Sequence, residues 1–420
     1  MNKKYYPEYK ETVYEEVLPN GLKVILLPKE GYNSSFAHFG TKFGGSYYDF
    51  DVNGTKLISG LAHFLEHRLF DYPKGNVMNL YDALGALTNA FTSYNVTTYL
   101  FKTSKNLEKC VNLLLDFVQL AEFPEEKVEN EKKIISQEYH LGNDNPLRRL
   151  YKLGLKNTCV NYPLRTEIIG TLEDINSTTR ELLYLAHRTF YHPTNMTLVI
   201  AGGFDPNRLI KLIRKNQASK TFEDKVIPQL NINEPLEVSK ERDEIVVGLP
   251  YQKVCVGYKF EVPALNSKVE EYKYNIVTDM LLEMLFGRSS TLTEKLLKDR
   301  TVLNPVMASS EVNKFINAWF LFGDTLDETN LINTFDNILK NVDEYMSEEA
   351  FKRIKKAMVA TAISALDDVE TYAERTILSY SQWELNELDC INILKEIKYD
   401  DLKDAASRLS KFARSVNVLK

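Results

Sequence analysis

The segment His63-Phe64-Leu65-Glu66-His67 constrains the fold of this chain most, because its spacing has a chemical meaning only on a helix. Residues four apart lie one above the other on the same face of an α-helix, so the imidazoles of His63 and His67 can reach one metal ion. Glu66 then lies beside the ion, where a carboxylate can act as a general base toward water. The segment therefore predicts a metal-binding helix. The alternative is an amphipathic helix whose histidines simply face water.

A third ligand has to come from elsewhere in the chain, because zinc in catalytic sites usually takes three protein ligands and leaves one position to water. The charged segment 129–138 carries Glu131 and Glu138, which are seven residues apart and so share one face of a helix. One of the two can bind the metal while the other supports it. Ile134 and Ile135 are expected to anchor this helix in the core, and the alternative is a solvated face of charges.

Local patterns predict the elements around these residues. Alternating polar and apolar side chains around Asn20-Gly21 are typical of a β-hairpin, and a glycine at the end of a periodic segment is a natural helix stop. The predicted elements are a hairpin over 12–27, helices over 57–70, 77–84 and 124–140, and a strand over 92–102.

Three further segments extend the match to a known family. Asn20-Gly21-Leu22-Lys23-Val24 lies near the start, Gly44-Gly45-Ser46 precedes the two histidines, and Asn89-Ala90-Phe91-Thr92 follows them. Together with the H-x-x-E-H segment, they resemble the pitrilysin/insulinase family of zinc metallopeptidases. This family includes the mitochondrial processing peptidase and small bacterial enzymes of two subunits.

The resemblance implies a complete metal centre. It implies Zn²⁺ as the cofactor, with His63, His67 and Glu138 as the ligands. Glu66 is implied as the general base, and Glu131 as a catalytic carboxylate that supports the ligands from outside. Of the two glutamates seven residues apart, the family pattern thus selects Glu138 for the metal.

The same resemblance assigns Asn89, Ala90 and Phe91 to an edge strand that binds the substrate, and an ordinary edge or interior strand is the alternative. The implied function is that of a zinc-dependent endopeptidase that hydrolyses extended peptides. One alternative is a non-catalytic scaffold subunit that keeps the peptidase fold. Another is a protease dedicated to one precursor peptide.

The length of 420 residues predicts more than one domain, and in both halves strands are segregated from helical hairpins, as in an α+β fold. Residues 217–240 mix proline, lysine and glutamate without periodicity, as a linker does. We therefore expect a metal-binding peptidase domain at 1–216 and a domain of the same fold, without the metal motif, at 241–420. By the resemblance, each is a mainly antiparallel sheet packed with helical hairpins, and the two enclose half of a clam-like chamber.

The C-terminal half departs from the family in one respect. When the second domain of such enzymes contributes to catalysis, it supplies an arginine and a tyrosine seven residues apart. No arginine after residue 216 has a tyrosine seven positions later. We therefore expect a heterodimer in which a related second subunit supplies the Arg/Tyr pair, with a homodimer as the alternative.

Composition and charge limit the remaining possibilities. The net charge is −6, from 52 basic and 58 acidic residues, so the chain lacks the excess of positive charge that attracts nucleic acid. A peptide is therefore the expected partner. No apolar segment reaches the roughly 18 residues of a membrane span, and the first residues lack an apolar signal region. We expect no membrane span and a cytoplasmic location. The four widely spaced cysteines are expected to be buried thiols.

Overall fold

The structure is a computed structural model that describes residues 1–143, 145–223 and 225–420. It divides into two compact units, each built from segments that are distant in sequence. Unit 1 consists of Met1–Tyr139, Glu167–Leu230 and Ile363–Leu388, and unit 2 consists of His140–Thr166, Asn231–Ala362 and Asp389–Lys420. These units follow packing and not chain order, and the contiguous division with a linker at 217–240 stays a prediction.

The strands of the described residues belong to two large sheets and two short hairpins. They are β1 (Asn2–Tyr6), β2 (Glu11–Val17), β3 (Lys23–Pro28), β4 (Ser35–Thr41), β5 (Asp51–Val52), β6 (Thr55–Lys56), β7 (Asp71–Tyr72), β8 (Gly75–Asn76), β9 (Ala86–Thr92), β10 (Thr97–Thr103), β11 (Met196–Gly202), β12 (Arg242–Ile245), β13 (Gln252–Lys259), β14 (Met307–Asn313), β15 (Ile316–Thr325) and β16 (Ala413–Leu419).

The α-helices lie between and after these strands. They are α1 (Leu61–Leu69), α2 (Val77–Leu84), α3 (Leu107–Gln119), α4 (Glu125–Asn143), α5 (Pro146–Thr158), α6 (Leu172–Ser177), α7 (Arg180–Phe190), α8 (Pro206–Ala218), α9 (Lys268–Phe286), α10 (Thr291–Lys298), α11 (Glu328–Lys340), α12 (Glu348–Ser364), α13 (Val369–Trp383), α14 (Glu387–Glu396) and α15 (Tyr399–Ala406).

A seven-stranded sheet in the order β1-β2-β3-β11-β4-β10-β9 forms the core of unit 1. Neighbouring strands are antiparallel except β3 and β11, which are parallel. The antiparallel pair β2 and β3 confirms the predicted hairpin. Among the described strands, β9 pairs with β10 alone, so its outer edge is open.

Helix α13 packs against β4 and β11 of this sheet although it lies far along the chain. The approach is close, because a Cβ atom at Gly40 would lie 3.3 Å from Cδ1 of Ile377. Ile377 is fully buried there, so a helix from the C-terminal part of the sequence completes the core of unit 1.

Two local predictions have opposite outcomes in the structure. Helix α2 begins and ends where predicted, with Gly85 at φ 71° as its stop. The predicted strand over 92–102 is wrong at its start, because the backbone N–H of Ser93 donates to the carbonyl of Val96 at 2.8 Å and closes a turn between β9 and β10. The turn contains neither glycine nor proline, so the strand pattern that begins at Thr92 does not mark it.

Helix α4 buries one isoleucine of its adjacent pair. Ile135 is 1% exposed and Ile134 is 53% exposed. Adjacent residues on a helix point about 100° apart. Val128, Glu131 and Ile135 occupy the buried face, which turns Ile134 outward. The expectation that both isoleucines anchor this helix is therefore wrong for Ile134.

Unit 2 contains a five-stranded sheet in the order β12-β16-β13-β15-β14, in which only the pair β12 and β16 is parallel. Helix α5 packs against β13 and β16, and Nδ2 of Asn157 on this helix donates to Oδ1 of Asn417 at 2.7 Å. Both units thus combine a mainly antiparallel sheet with helices. The predicted α+β class is confirmed.

The chain around Glu234, within the predicted linker, is fixed to unit 2. One carboxylate oxygen of Glu234 accepts from the backbone N–H groups of Asn161 and Tyr162, each at 2.6 Å. The other accepts from the N–H of Val160 at 2.8 Å and from Nζ of Lys259 at 2.5 Å. These four hydrogen bonds make the chain around Glu234 an ordered part of unit 2.

Two expectations from composition also have structural outcomes. All four cysteines are buried and free, as predicted. None of the helices in 1–143, 145–223 or 225–420 combines the length and the apolar character needed to span a bilayer.

Candidate metal centre

Helix α1 presents its two histidines because the apolar residues between them fix which face is buried. Phe64 and Leu65 are 1% and 0% exposed. His63, Glu66 and His67 lie on the half-buried face of the same helix. The predicted helical spacing therefore brings all three polar side chains to one side of α1.

The start of α1 is fixed by Gly60. Its backbone has a φ of +80°, and a Cβ atom at this position would lie 2.4 Å from the carbonyl oxygen of Ile169. Only glycine meets both requirements, so this close approach sets where the helix begins.

Helix α4 brings Glu138 opposite both histidines. Oε1 of Glu138 lies 3.8 Å from Nε2 of His63, and Oε2 lies 3.8 Å from Nε2 of His67. The three side chains, called the ligand group from here on, offer atoms that all lie within 4.8 Å of one another. Two ligands of a tetrahedral zinc ion lie roughly 3.3–3.6 Å apart. The ligand group therefore fits zinc with small side-chain adjustments.

Glu131 lies behind His67, on the side away from Glu138. Its Oε1 is 2.9 Å from Nδ1 of His67. With a proton on Nδ1, His67 donates to Glu131 and keeps the lone pair of Nε2 for a metal. Burial opposes a charged imidazole, but the hydrogen bond to Glu131 and its charge together raise the pKa of His67. The structure thus places Glu131 as a partner of His67 and not within the ligand group.

Glu66 is held by a residue that sequence reasoning missed. Oγ1 of Thr92, at the end of β9, donates to Oε2 of Glu66 at 2.6 Å. Burial raises the pKa of Glu66, and this hydrogen bond opposes the rise. A carboxylate with a raised pKa takes up a proton more readily, which suits a general base. The sequence marks Thr92 only as part of a family segment, and its contact with Glu66 depends on how β9 packs against α1.

Arg68 is the second residue that sequence reasoning missed. It is 2% exposed, and its Nη1 donates to Oε2 of Glu131 at 3.1 Å. Its Nη2 lies 2.7 Å from Oδ2 of Asp71. An arginine on a helix is ordinarily expected to reach solvent, so nothing in the sequence marked this one as buried.

Comparison with known proteins connects these features to a family. Residues 45–172 match the family model described as Insulinase (Peptidase family M16), and residues 177–358 match the one described as Peptidase M16 inactive domain. The uncharacterized zinc protease YmfH of Bacillus subtilis is 34% identical over 416 residues, which cover 96% of this chain and 97% of the relative. The chain belongs to the insulinase family, peptidase family M16.

Solved structures agree with membership of family M16. The crystal structure of an M16-like peptidase from Alicyclobacillus acidocaldarius matches with a TM-score of 0.88 and 30% identity, over 97% of this chain and 98% of that chain. A protease from Helicobacter pylori matches with a TM-score of 0.81 and 23% identity, over 97% and 99% of the two chains, and at this identity shows the fold alone. The predicted family is confirmed.

Zinc is the cofactor of this M16 protein. Its relatives are named zinc proteases, and the ligand group offers two imidazoles and one carboxylate. This is a donor set that zinc takes in catalytic sites, where a fourth position stays open. The cofactor prediction is confirmed, while the roles of the individual residues stay predictions.

The predicted substrate residues of this M16 chain lie on β9, which packs against α1. Asn89 is exposed, and its Oδ1 accepts from the backbone N–H of Ala90 at 2.9 Å. Ala90 and Phe91 are half-buried. The structure thus places all three on an open sheet edge beside the helix that carries the histidines, and peptide binding at this edge stays a prediction.

Proposed function

We propose that this chain is a zinc-dependent endopeptidase that hydrolyses extended peptides and is the catalytic subunit of a heterodimer. The convergence of His63, His67 and Glu138 carries this proposal, because these residues come from two helices and still point at one place. Glu66 lies on the same face of α1 as the two histidines, as a general base has to.

The chemistry follows from the position of each side chain. Zinc held by the ligand group would polarise the scissile carbonyl and lower the pKa of the attacking water. Glu66 would take a proton from that water and pass it to the leaving amine. Thr92 holds one oxygen of Glu66, which leaves the other oxygen for the proton. Glu131 would keep the imidazole of His67 oriented through Nδ1.

The open edge of β9 is the proposed binding place for the substrate backbone. An extended peptide would add as a further strand beside Asn89, Ala90 and Phe91, where main-chain hydrogen bonds give affinity. A folded protein offers few free extended segments, so unfolded peptides are the proposed substrates. General peptide turnover and maturation of one precursor would both use this edge.

The proposed partner is a related subunit that supplies the Arg/Tyr pair, since the residues after 216 lack that pair at the family spacing. A homodimer in which another residue replaces the pair is the alternative. The cytoplasmic location expected from the sequence stays part of this proposal.

A non-catalytic scaffold subunit is the second candidate function. One observation favours it, namely the match of residues 177–358 to a family model described as Peptidase M16 inactive domain. That match does not include α1 or Glu138, which lie within the insulinase match at 45–172. The catalytic proposal is therefore the stronger of the two.

Zinc analysis combined with a peptide assay tests the proposal. The purified chain should contain about one zinc per ligand group and should cleave an unstructured quenched peptide once a related subunit from the same organism is added. His63→Ala should abolish both properties, whereas the matched variant His140→Ala, at an exposed histidine outside the ligand group, should keep them. A zinc-free chain that stays inert with its partner would favour the scaffold. Full activity of the chain alone would refute the heterodimer.

A further inference from the structure

Arg68 is buried directly beside a residue of the ligand group. Its side chain is 3% exposed although a guanidinium ordinarily stays charged. Burial of such a charge is unfavourable unless carboxylates and hydrogen bonds compensate for it, and an apolar side chain of similar size often packs at least as well. The position of Arg68 in the core therefore calls for a specific reason.

The partners of Arg68 supply that reason. Glu131 uses its two oxygens for two adjacent residues of α1, since Oε2 accepts from Nη1 of Arg68 at 3.1 Å and Oε1 lies 2.9 Å from Nδ1 of His67. Asp71 balances the other side of the guanidinium at 2.7 Å and also lies 3.4 Å from Nζ of Lys127. A carboxylate held at both oxygens cannot rotate, whereas one held at a single oxygen can.

We propose that Arg68 is a positioning residue for zinc, acting through Glu131 on the imidazole of His67. Arg68 fixes the plane of the Glu131 carboxylate, and that carboxylate fixes the ring of His67 so that Nε2 points toward Glu138. The proposal rests on the zinc site of the proposed function. It adds a residue that neither touches the metal nor belongs to the H-x-x-E-H pattern.

A double-mutant cycle on zinc affinity tests this role without relying on peptidase activity. The zinc dissociation constant is measured by chelator competition for the unmodified chain, Arg68→Met, Glu131→Gln and the double variant. Groups that support metal ligands from outside typically contribute about 10–100-fold to metal affinity, and we expect Arg68→Met to weaken binding within that range. Because Arg68 acts through Glu131, the double variant should bind zinc no more weakly than Glu131→Gln alone.

Two further variants separate positioning from simple damage to the fold. Arg68→Lys keeps the positive charge but loses the planar guanidinium group. It should recover part of the zinc affinity that Arg68→Met loses. Arg375→Met breaks another ion pair of unit 1, in which Nε lies 2.5 Å from Oε1 of the buried Glu387, and should leave zinc affinity unchanged. The visible absorption of the Co²⁺-substituted protein should change for Arg68→Met and not for Arg375→Met.

The outcomes are decisive in each direction. Two outcomes would overturn the role of Arg68 and leave the peptidase proposal standing. In the first, the losses of zinc affinity in the cycle are additive. In the second, Arg68→Met binds zinc as tightly as the unmodified chain while Glu131→Gln binds it more weakly. An unmodified chain that binds no zinc would overturn both. If Arg68→Met does not fold, the same cycle with Arg68→Lys gives the same decision.

Discussion

Glu66 combines a raised pKa with a fixed orientation, and both come from its immediate neighbours. Glu66→Gln keeps the size of the side chain and an oxygen that can accept from Thr92, but it removes the proposed base. We expect turnover of a quenched peptide by the assembled enzyme to fall by about 10²–10⁴-fold, with zinc affinity little changed. Steady-state kinetics together with chelator competition measure the two quantities.

Glu129→Gln is the matched control for this substitution, because Glu129 is an exposed glutamate of α4 that pairs with Lys132. It should leave turnover unchanged. Full turnover by Glu66→Gln would mean that another group accepts the proton.

Two buried histidines of unit 1 link stability to pH. Burial lowers the pKa of His38 to about 3 and the pKa of His187 to about 4, both below the ordinary value of 6.5. The unfolded chain therefore binds protons that the folded chain does not, and the stabilisation present above pH 6.5 is lost as the pH falls toward these values. Each histidine should contribute a slope of up to about 1.4 kcal/mol per pH unit.

Urea unfolding at pH 7 and pH 5 measures this effect. His187→Gln removes one proton site and can still donate toward the carbonyl of Val118, which Nε2 of His187 contacts at 2.9 Å. It should lose less stability between the two pH values than the unmodified chain does. His140→Gln, at an exposed position, should show the unmodified pH dependence, and equal slopes for all three proteins would contradict the prediction.

At the scale of single residues, the sequence predicts which side chains share a face of a helix, and it predicts few of their other contacts. His63, Glu66 and His67 lie on one face because residues three and four apart always do on a helix. The contacts of Thr92 and Arg68 depend on the register of a strand and on the rotation of α4 against α1. Neither quantity is encoded in the local pattern.

At the scale of elements, the open edge of β9 is the feature that the proposed substrate would use. An edge strand presents alternate backbone groups outward, and the N–H of Ala90 already bonds to the exposed side chain of Asn89. Ala90→Pro removes this N–H. We expect KM for an extended peptide to rise by up to about 10-fold, as loss of one backbone hydrogen bond predicts.

Ala90→Ser keeps the backbone N–H and is the control. Both variants should keep the zinc affinity and thermal midpoint of the unmodified chain. An unchanged KM for Ala90→Pro would show that the peptide binds elsewhere.

Elements with strong end signals could be predicted to the residue, and others could not. Helix α2 has Asn76 as its N-cap and Gly85 as its stop, and both are visible in the sequence. The turn between β9 and β10 contains neither glycine nor proline, so the strand predicted over 92–102 runs through it. Its position is set by pairing between the strands, which is a tertiary property.

At the scale of the whole molecule, α13 completes a sheet whose strands all come from the first 202 residues. Ile377 is 0% exposed in that core, so Ile377→Ala should lower the free energy of unfolding by about 2–5 kcal/mol. Urea denaturation measures the change. Ile363→Ala, at a site that is 39% exposed, is the control and should change it by about 0.5 kcal/mol or less.

Equal effects of the two substitutions would contradict the packing of α13 on this sheet. The sequence could not have predicted this packing, because contacts between distant segments leave no local periodicity. It did predict two α+β halves, since that follows from the order of strands and helices.

The distant origin of α13 has a consequence during synthesis. Ribosomes add about 5–20 residues per second, so the stretch from Leu230 to Leu388 takes roughly 8–32 s to emerge. For that time the nascent polypeptide carries all three residues of the ligand group but exposes the apolar sheet surface that α13 later covers. A product truncated within this interval would keep the ligand group and lack the helix that completes the core of unit 1.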